Sequence, residues 1–205
     1  MARSKSSKAW LKEHFNDVYV KKAHAEGYRS RAVYKLIEIQ EKDRLIKPGM
    51  VIVDLGAAPG GWSQVASAWV KPRGKVIALD ILPIDPIQDV KIIMGDFTSE
   101  AVYAALMAQL AEKQVDIVLS DMAPNMSGMP AVDQPKALYL AELALDFCQQ
   151  VLKPKGSFVS KLFHGEGSEN YLKQLRQVFQ QVVIRKPEAS RGRSSEVYVI
   201  GKMKK

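Results

Sequence analysis

Apolar and polar residues change their spacing several times along the chain. From residue 50 onward, short runs of β-branched residues alternate with longer stretches whose apolar residues recur at helical spacing. This alternation is typical of βαβ units, and it predicts an α/β fold with a mostly parallel sheet. The predicted strands are Val51–Leu55, Lys75–Leu79, Val90–Met94, Val115–Ser120, Ser157–Leu162, Gln181–Arg185 and Val197–Lys202. The predicted helices between them are Trp62–Val70, Ser99–Glu112, Lys136–Leu152 and Glu169–Phe179, with Ser168 as the cap of the last one.

The two ends of the chain differ from this repeating pattern. No helical stretch separates the last two strands, so they are predicted to pair as an antiparallel hairpin at one edge of the sheet. The first 49 residues are predicted to be mostly helical, with a helix at Arg31–Gln40 that ends before the Lys47-Pro48-Gly49 turn. We therefore expect one compact unit, made of a helical N-terminal segment at 1–49 and a main domain at 50–205.

The positive charge of the chain is concentrated at its ends. The net charge of the 205 residues is +8, but residues 1–35 have a net charge of +6, residues 185–205 of +5, and residues 36–184 of −3. This asymmetry is typical of a surface that binds a polyanion, although tails that only keep the protein soluble would have the same composition.

Several classes of protein are excluded by simpler features. The longest apolar run, Ala101 to Ala108, is too short to cross a bilayer, and the N-terminus has no apolar signal-peptide core. We therefore expect a cytoplasmic protein that does not bind membranes. The single cysteine, Cys148, lies in an apolar stretch and is predicted to be a buried thiol without a disulfide or a metal.

A glycine-rich turn follows the first predicted strand, in the run VIVDLGAAPGGWS at 51–63. A strand, such a turn and a helix start together let backbone amides approach a ligand. The dinucleotide fingerprint requires glycine where Ala58 stands, and a P-loop requires lysine where Trp62 stands. The turn is therefore predicted to bind a nucleoside-like ligand that lacks phosphates.

Carboxylates follow the next two strands. Asp80 ends the second strand, where it could accept hydrogen bonds from both hydroxyls of a ribose, and Asp96 ends the third, where it could accept one from an adenine amino group. Each aspartate alone would more often be a cap or a turn residue. Their placement at successive strand ends indicates S-adenosylmethionine as the ligand.

Two further charged residues are predicted at the same edge of the sheet. Asp121 follows the fourth strand and Lys161 lies near the end of the fifth. Because a charge at the end of a buried strand needs a partner, the two are predicted to pair, either in a catalytic site or in a purely structural ion pair. Lys35, on the border of an apolar helix face, and Glu196, before the last strand, would be ordinary surface residues if each were considered alone.

Taken together, Lys35, Asp121, Lys161 and Glu196 resemble the K-D-K-E tetrad of 2′-O-methyltransferases. The chain resembles the FtsJ family in particular, and its compact bacterial members above all. The resemblance extends over nearly the whole chain through the runs SSKAWL (6–11), RSR (29–31), KPGM (47–50), DLGAAPGGWS (54–63), SDMAPN (120–125), MSG (126–128) and RSSEVY (193–198). One departure is His164, where glutamine is expected.

The resemblance implies a Rossmann-like methyltransferase fold, with seven strands of which the last is antiparallel. It also implies methylation of a uridine 2′-hydroxyl in 23S ribosomal RNA, on the large ribosomal subunit, by a monomer without a metal. The residues that it assigns to S-adenosylmethionine are Gly60, Trp62, Asp80, Asp96 and Asp121. Two alternatives stay open: a 2′-O-methyltransferase of transfer RNA or cap, and a non-catalytic RNA-binding factor of ribosome assembly.

The resemblance makes Lys161 the proton acceptor, and this role depends on its pKa. A lysine with its ordinary pKa of ~10.4 is protonated and cannot act as a base. The nearby Lys35 and burial would lower the pKa of Lys161, whereas Asp121 would raise it. The sequence leaves open whether Lys161 is a base or a charged group that only orients the hydroxyl.

Overall fold

The computed structural model describes residues 17–110, 114–191 and 194–205. Two parts of the family resemblance lie outside the described residues: the run at 6–11 and the first residue, Arg193, of the run at 193–198. The basic residues before position 17 lie outside them as well. The helices are α1 (Val18–Ala25), α2 (Val33–Asp43), α3 (Gly61–Val70), α4 (Glu100–Leu110), α5 (Pro130–Val151) and α6 (Ser168–Val178). The strands are β1 (Val51–Leu55), β2 (Lys75–Asp80), β3 (Val90–Met94), β4 (Val115–Ser120), β5 (Leu152–Phe163), β6 (Phe179–Arg185) and β7 (Glu196–Lys204).

The seven strands form one sheet in the order β3-β2-β1-β4-β5-β7-β6. Strands β1 to β5 pair in parallel, and β7 lies between β5 and β6, antiparallel to both. The predicted α/β fold and the antiparallel pairing of the last two strands are therefore confirmed. The carboxyl ends of β1 to β5 meet at one edge, which is where ligands bind in open parallel sheets.

Both faces of the sheet are covered by helices, and each face has its own apolar cluster. Helices α4, α5 and α6 pack on one face with Leu106, Phe147 and Leu175, and α2 and α3 pack on the other with Leu36 and Ala66. All six residues of β4 are buried, as is expected for a central strand covered on both sides. Cys148 belongs to the first cluster, so its predicted burial is confirmed.

Several helix boundaries differ from the prediction. Helix α5 begins at Pro130 rather than Lys136, because proline fits the first helical position and Asp133 accepts hydrogen bonds from the Ser127 and Gly128 amides just before it. Helix α2 begins at Val33 instead of Arg31 and ends at Asp43, three residues further than predicted, and the next residue, Arg44, adopts a left-handed conformation. Ser168 is not a cap: it is the first residue of α6, and Gly167 precedes it with a φ of 82°.

Helix α2 is anchored to the far end of the sheet. The buried Asp43 carboxylate at its end accepts two hydrogen bonds from Arg185 on β6 and one from Lys202 on β7. Burial alone would raise the pKa of Asp43, but these two cations outweigh it and lower the pKa. At the other end of the helix, the Trp62 indole donates a hydrogen bond to the Ala32 carbonyl. These contacts fix the position of Lys35 on α2.

None of the helices in the described part of the chain is both long and apolar enough to span a membrane.

Candidate active site at the carboxyl edge of the sheet

A cavity of about 480 Å³ opens at the carboxyl ends of β1 to β4. Three predicted site residues line it: Asp80 at the end of β2, Asp96 after β3 and Asp121 after β4. After β1, the glycine turn lines it through Gly56. The structure therefore brings three of the predicted carboxylates to one cavity.

The glycine turn needs its first glycine for two reasons. Gly56 has a φ of 73°, and a Cβ atom at this position would lie 2.7 Å from the backbone nitrogen of Met122. The turn is also held from the next strand, because the amide of Ala58 donates a hydrogen bond to the Asp80 carboxylate at 2.8 Å. Any larger residue at position 56 would push the turn away from the β4 loop.

Asp80 and Asp96 both line the cavity, and the carboxylate of each also accepts hydrogen bonds from nearby backbone amides. Asp80 accepts from Ala58 through Oδ2 and from the amide of Leu82 through Oδ1, both at 2.8 Å. Asp96 accepts from the amide and the hydroxyl of Thr98 through Oδ1, and these bonds lower the pKa of Asp96. The turn role and the ligand role are thus compatible for both residues.

Gly60 and Trp62 lie outside the set of residues that line this cavity. A Cβ atom at Gly60 would meet the side chain of Ile87 at 2.7 Å, and the Trp62 indole is buried beside the ring of Tyr198, with centroids 5.5 Å apart. Both residues sit at the start of α3, where the first backbone amides have no acceptor within the helix. The Gly60 amide already donates to the Ala57 carbonyl, and the Gly60 carbonyl accepts from the Gln64 amide. Because the Trp62 indole donates to the Ala32 carbonyl, neither residue presents a side-chain polar group to the cavity.

The four tetrad residues come together although they lie far apart in the sequence. Lys161 Nζ is 2.7 Å from Asp121 Oδ1 and 3.7 Å from Glu196 Oε2. Lys35 Nζ is 2.6 Å from the other oxygen of Glu196, Oε1. All four side chains are at most 18% exposed, so none of them is an ordinary surface residue.

A second cavity, of about 300 Å³, lies on the other side of this tetrad. Lys35 and Glu196 line it, together with two arginines, Arg31 and Arg191, and the loop residues around them. Asp121 lines the first cavity, and Lys161 contacts a carboxylate from each side. The tetrad therefore separates two cavities and is in contact with both.

The comparison with known proteins decides the family. Residues 28–204 match the model of the FtsJ-like methyltransferases. The chain belongs to this family. Its relatives include two proteins called ribosomal RNA large subunit methyltransferase E. The one from Cellvibrio japonicus is 62% identical, covering 98% of this chain and 96% of its own, and the one from Marinobacter nauticus is 60% identical, covering 98% of both chains.

Solved structures agree with this assignment. A ribosomal RNA methyltransferase of Plasmodium falciparum superposes with a TM-score of 0.78 at 32% identity, over 86% of this chain and 98% of that one. Human methyltransferase-like protein 13, solved in complex with SAH, shares the fold with a TM-score of 0.57 at 18% identity, over 83% of this chain and 79% of its own. This FtsJ-like chain is a methyltransferase, and its cofactor is S-adenosylmethionine.

Sequence reasoning missed one member of the site in this FtsJ-like protein. The hydroxyl of Tyr198 donates a hydrogen bond to Asp121 at 2.6 Å and accepts one from Lys35 Nζ at 3.1 Å. Tyr198 is fully buried and lies two residues after Glu196 on β7. Because alternate residues of a strand face the same side, this spacing was the available signal.

The pKa shifts of the central pair show which of the opposing effects on Lys161 and Asp121 is larger. Burial alone would raise the pKa of Asp121, but the ammonium groups of Lys161 and Lys35 outweigh it and lower the pKa. Burial alone would lower the pKa of Lys161, but Asp121 and Glu196 outweigh it and raise the pKa. In the protein without its ligands, attraction to the carboxylates therefore outweighs burial and favours the ammonium form of Lys161.

His164, the departure from the family pattern, lines neither of the two cavities. Its backbone amide donates a hydrogen bond to the Ser195 carbonyl at 3.1 Å, so the residue joins β5 to the segment before Glu196. Nothing in the geometry favours it as a base. No group of three or more histidine, cysteine, aspartate or glutamate side chains placed to hold a metal occurs within the described ranges.

A buried carboxyl group on β1, the strand before the glycine turn, was also not predicted. Asp54 lies on β1 and is fully buried, with Oδ2 accepting a hydrogen bond from the Ser63 hydroxyl at 2.6 Å. Its Oδ1 is buried without a hydrogen-bond partner among the described residues. Burial, assisted by the negative charges of Asp121 and Asp80, raises the pKa of Asp54 to about 7.

This carboxyl group has a consequence for stability. Between the unfolded pKa of ~3.9 and the folded value the native protein binds more protons, so the free energy of unfolding is expected to fall as the pH rises through this interval. Asp54→Asn removes the titrating group and should flatten this part of the profile. Urea unfolding at a series of pH values from about 5 to about 8 measures it.

The matched control for this experiment is Asp89→Asn, which removes an exposed carboxylate paired with Lys71 at the surface. This control should keep the wild-type slope, because exposed ion pairs contribute little. An Asp54→Asn profile as steep as that of the wild type would show that other groups cause the dependence.

Proposed function

We propose that this chain transfers the methyl group of S-adenosylmethionine to a ribose 2′-hydroxyl of ribosomal RNA in the large subunit, on a uridine of 23S RNA. The observation that carries the proposal is the position of the tetrad between two cavities. One cavity has the carboxylates suited to the cofactor, and the other is bordered by arginines. The names of the relatives, ribosomal RNA large subunit methyltransferases, support the substrate.

The residues of the first cavity fit the cofactor. In this proposal Asp80 accepts hydrogen bonds from the ribose hydroxyls, Asp96 accepts from the adenine amino group, and Asp121 lies at the end of the cavity nearest the tetrad. Gly60 and Trp62 are proposed to contribute by fixing the course of the backbone at the start of α3, beside the cofactor. When bound, the cofactor supplies an electrophilic methyl group on a positively charged sulfur.

The tetrad then acts on the other reactant. A 2′-hydroxyl is a weak acid, so the protein must align its oxygen with the methyl group and remove its proton. Lys161 is proposed to hold that oxygen and to take the proton, with Asp121 orienting the amine. Lys161 can act as a base only if additional positive charge beside Asp121 weakens the attraction that raises its pKa. Lys35 and Glu196, in contact with each other, are proposed to hold the ribose.

The basic ends of the chain are proposed to bind the RNA backbone. Residues 1–35 and 185–205 carry the positive excess, and both reach the second cavity through Arg31 and Arg191. Lysine and arginine contacts to phosphates supply affinity without reading sequence. The 2′-hydroxyl itself is the group that distinguishes RNA from DNA. A ribosomal substrate also implies that the protein works in the cytoplasm, and we propose that it does so as a monomer.

The substrate is tested by offering purified protein and labelled S-adenosylmethionine to large ribosomal subunits that lack this methylation, and separately to transfer RNA. Transfer of label to the subunits alone is the expected result. Label in transfer RNA alone would replace the proposed substrate by the first alternative, and turnover on neither RNA would mean that the methyltransferase acts on a different RNA, such as a cap.

Placement of the cofactor is tested by Asp80→Asn. The substitution removes the charge from an acceptor of ribose hydroxyls, and a hydrogen bond to a charged group contributes about 1.5–3 kcal/mol. We expect S-adenosylmethionine to bind at least about tenfold more weakly, as measured by calorimetric titration. Thermal unfolding checks that the folded state persists. Unchanged affinity in the folded variant would remove Asp80 from the cofactor site.

A further inference from the structure

The segment that joins α1 to α2 lies directly against the glycine turn. A Cβ atom on Gly61 would be 2.7 Å from the hydroxyl oxygen of Ser30. Gln64 on α3 binds the same segment twice: its Nε2 donates to the carbonyl of Gly27 at 3.0 Å, and its Oε1 accepts from the amide of Arg29 at 3.2 Å. The start of α3 and residues 27–30 therefore form one packed unit.

The side chain of Arg29 extends this unit to two loops. Its Nη1 donates hydrogen bonds to the carbonyls of Asp85 at 2.7 Å and Pro59 at 3.3 Å, and its Nη2 donates to the carbonyl of Pro86 at 2.7 Å. Pro59 belongs to the glycine turn. Asp85 and Pro86 belong to the loop that follows Asp80 at the end of β2.

These contacts contradict the simplest interpretation of a basic N-terminal segment, in which each cation faces phosphate. Both terminal nitrogens of Arg29 are engaged with backbone carbonyls of the protein itself. The planar guanidinium can bridge two loops in this way, whereas the ammonium of a lysine is a single point charge. Arg29 also stands six residues before Lys35, on the segment that leads into α2.

We propose that Arg29 is a positioning residue of the cofactor site rather than a phosphate-binding residue. By holding the glycine turn and the loop after β2 together, it sets the spacing between the backbone at Gly60 and the carboxylate of Asp80. It also connects both of them to the helix that carries Lys35. The proposal rests on the cofactor placement described above.

The experiment compares Arg29→Lys, which keeps the charge but not the bridge, with Gln64→Met, which changes no charge and removes the two bonds on the other side of the segment. Both variants should raise the Kd and the KM of S-adenosylmethionine about tenfold, since each loses hydrogen bonds that hold the turn. Their affinity for large-subunit RNA and its salt dependence should stay within about twofold of the wild type, because neither variant changes a charge.

The matched control is Lys21→Met, which removes one positive charge from an exposed position on α1. It should leave cofactor affinity unchanged. A weaker RNA affinity in Arg29→Lys, with the cofactor Kd unaltered, would make Arg29 a phosphate ligand and overturn the proposal. Wild-type cofactor affinity in both Arg29→Lys and Gln64→Met would overturn it as well.

Asp80→Asn and the melting temperatures distinguish a wrong cofactor placement from a wrong role of Arg29. If Asp80→Asn leaves the cofactor affinity unchanged, the cofactor placement itself is wrong. If Asp80→Asn weakens binding and the two other variants do not, only the role of Arg29 is wrong. Equal melting temperatures of the variants and the wild type show that a change in KM arises from the site and not from general destabilisation.

Discussion

Lys161→Ala is expected to lower the rate of methyl transfer by about 10³-fold, within the range that a positioned proton-transfer group contributes. Affinity for S-adenosylmethionine should change little, because Lys161 is proposed to act on the hydroxyl and not on the cofactor. Single-turnover rates with saturating cofactor and large subunits measure the effect. The control is Lys153→Ala on the same strand, whose ammonium pairs with Asp116 away from the site and whose removal should leave the rate unaltered.

Lys161→Arg separates the two roles that the tetrad allows. A guanidinium stays protonated, so it can orient a ribose but cannot accept a proton. If Lys161 is the base, the arginine variant should be as inactive as the alanine variant, and the wild-type rate should rise with pH as Lys161 is deprotonated. Substantial activity in the arginine variant would show that Lys161 is a charged group that only orients the hydroxyl. The raised pKa of Lys161 in the protein without ligands is compatible with that role too.

Asp121→Asn is expected to have the second largest effect. The Asp121 carboxylate accepts hydrogen bonds from Lys161 and Tyr198, and it lines the cofactor cavity. Without its charge, Lys161 keeps a hydrogen bond to the backbone carbonyl of residue 121 at 3.0 Å, and among the described residues its remaining carboxylate partner is Glu196, at 3.7 Å. We expect methyl transfer to fall by about 10²-fold and cofactor affinity to fall with it, because Asp121 is proposed to act on both reactants.

The same variant should be less stable than the wild type. Loss of one partner of a buried ion pair costs about 3–5 kcal/mol, since the other charge is left uncompensated. The stability due to this pair is present above the unfolded aspartate pKa of ~3.9 and below the unfolded lysine pKa of ~10.4. It is lost as the pH falls through the lowered pKa of Asp121 or rises through the raised pKa of Lys161. Urea unfolding at neutral pH compares Asp121→Asn with the surface control Asp89→Asn, and equal stabilities would contradict the structural role.

The strand pattern predicted the fold well because most of the strands are short, rich in β-branched residues and followed by a helix. Asp80, Asp96 and Asp121 could be placed at one edge for the same reason, since the carboxyl ends of parallel strands meet there. Lys35 and Glu196 could not be assigned by pattern, because each is an ordinary residue of its own element. Only their joint resemblance to a tetrad selected them, and the structure then showed them in contact.

The features that escaped prediction depend on tertiary packing. The resemblance places Trp62 at the cofactor, but no sequence pattern gave the surroundings of its indole, which is buried against Tyr198. Tyr198 had the correct strand spacing from Glu196, yet a tyrosine in an apolar strand is usually a core residue. The contacts of Arg29 depend on two loops that are distant in the sequence. The sign of the Lys161 pKa shift depends on distances that no sequence gives.

The position of the transferred methyl group is the most direct test of 2′-O-methylation of a uridine. Large ribosomal subunits are incubated with the protein and S-adenosylmethionine labelled in the methyl group, and the RNA is then hydrolysed with alkali. Cleavage by alkali requires a free 2′-hydroxyl, so a methyl group on that oxygen protects the adjacent bond. If the proposed function is correct, the label appears in an alkali-resistant dinucleotide that begins with uridine. Label in mononucleotides, with the methyl group on a base, would contradict it.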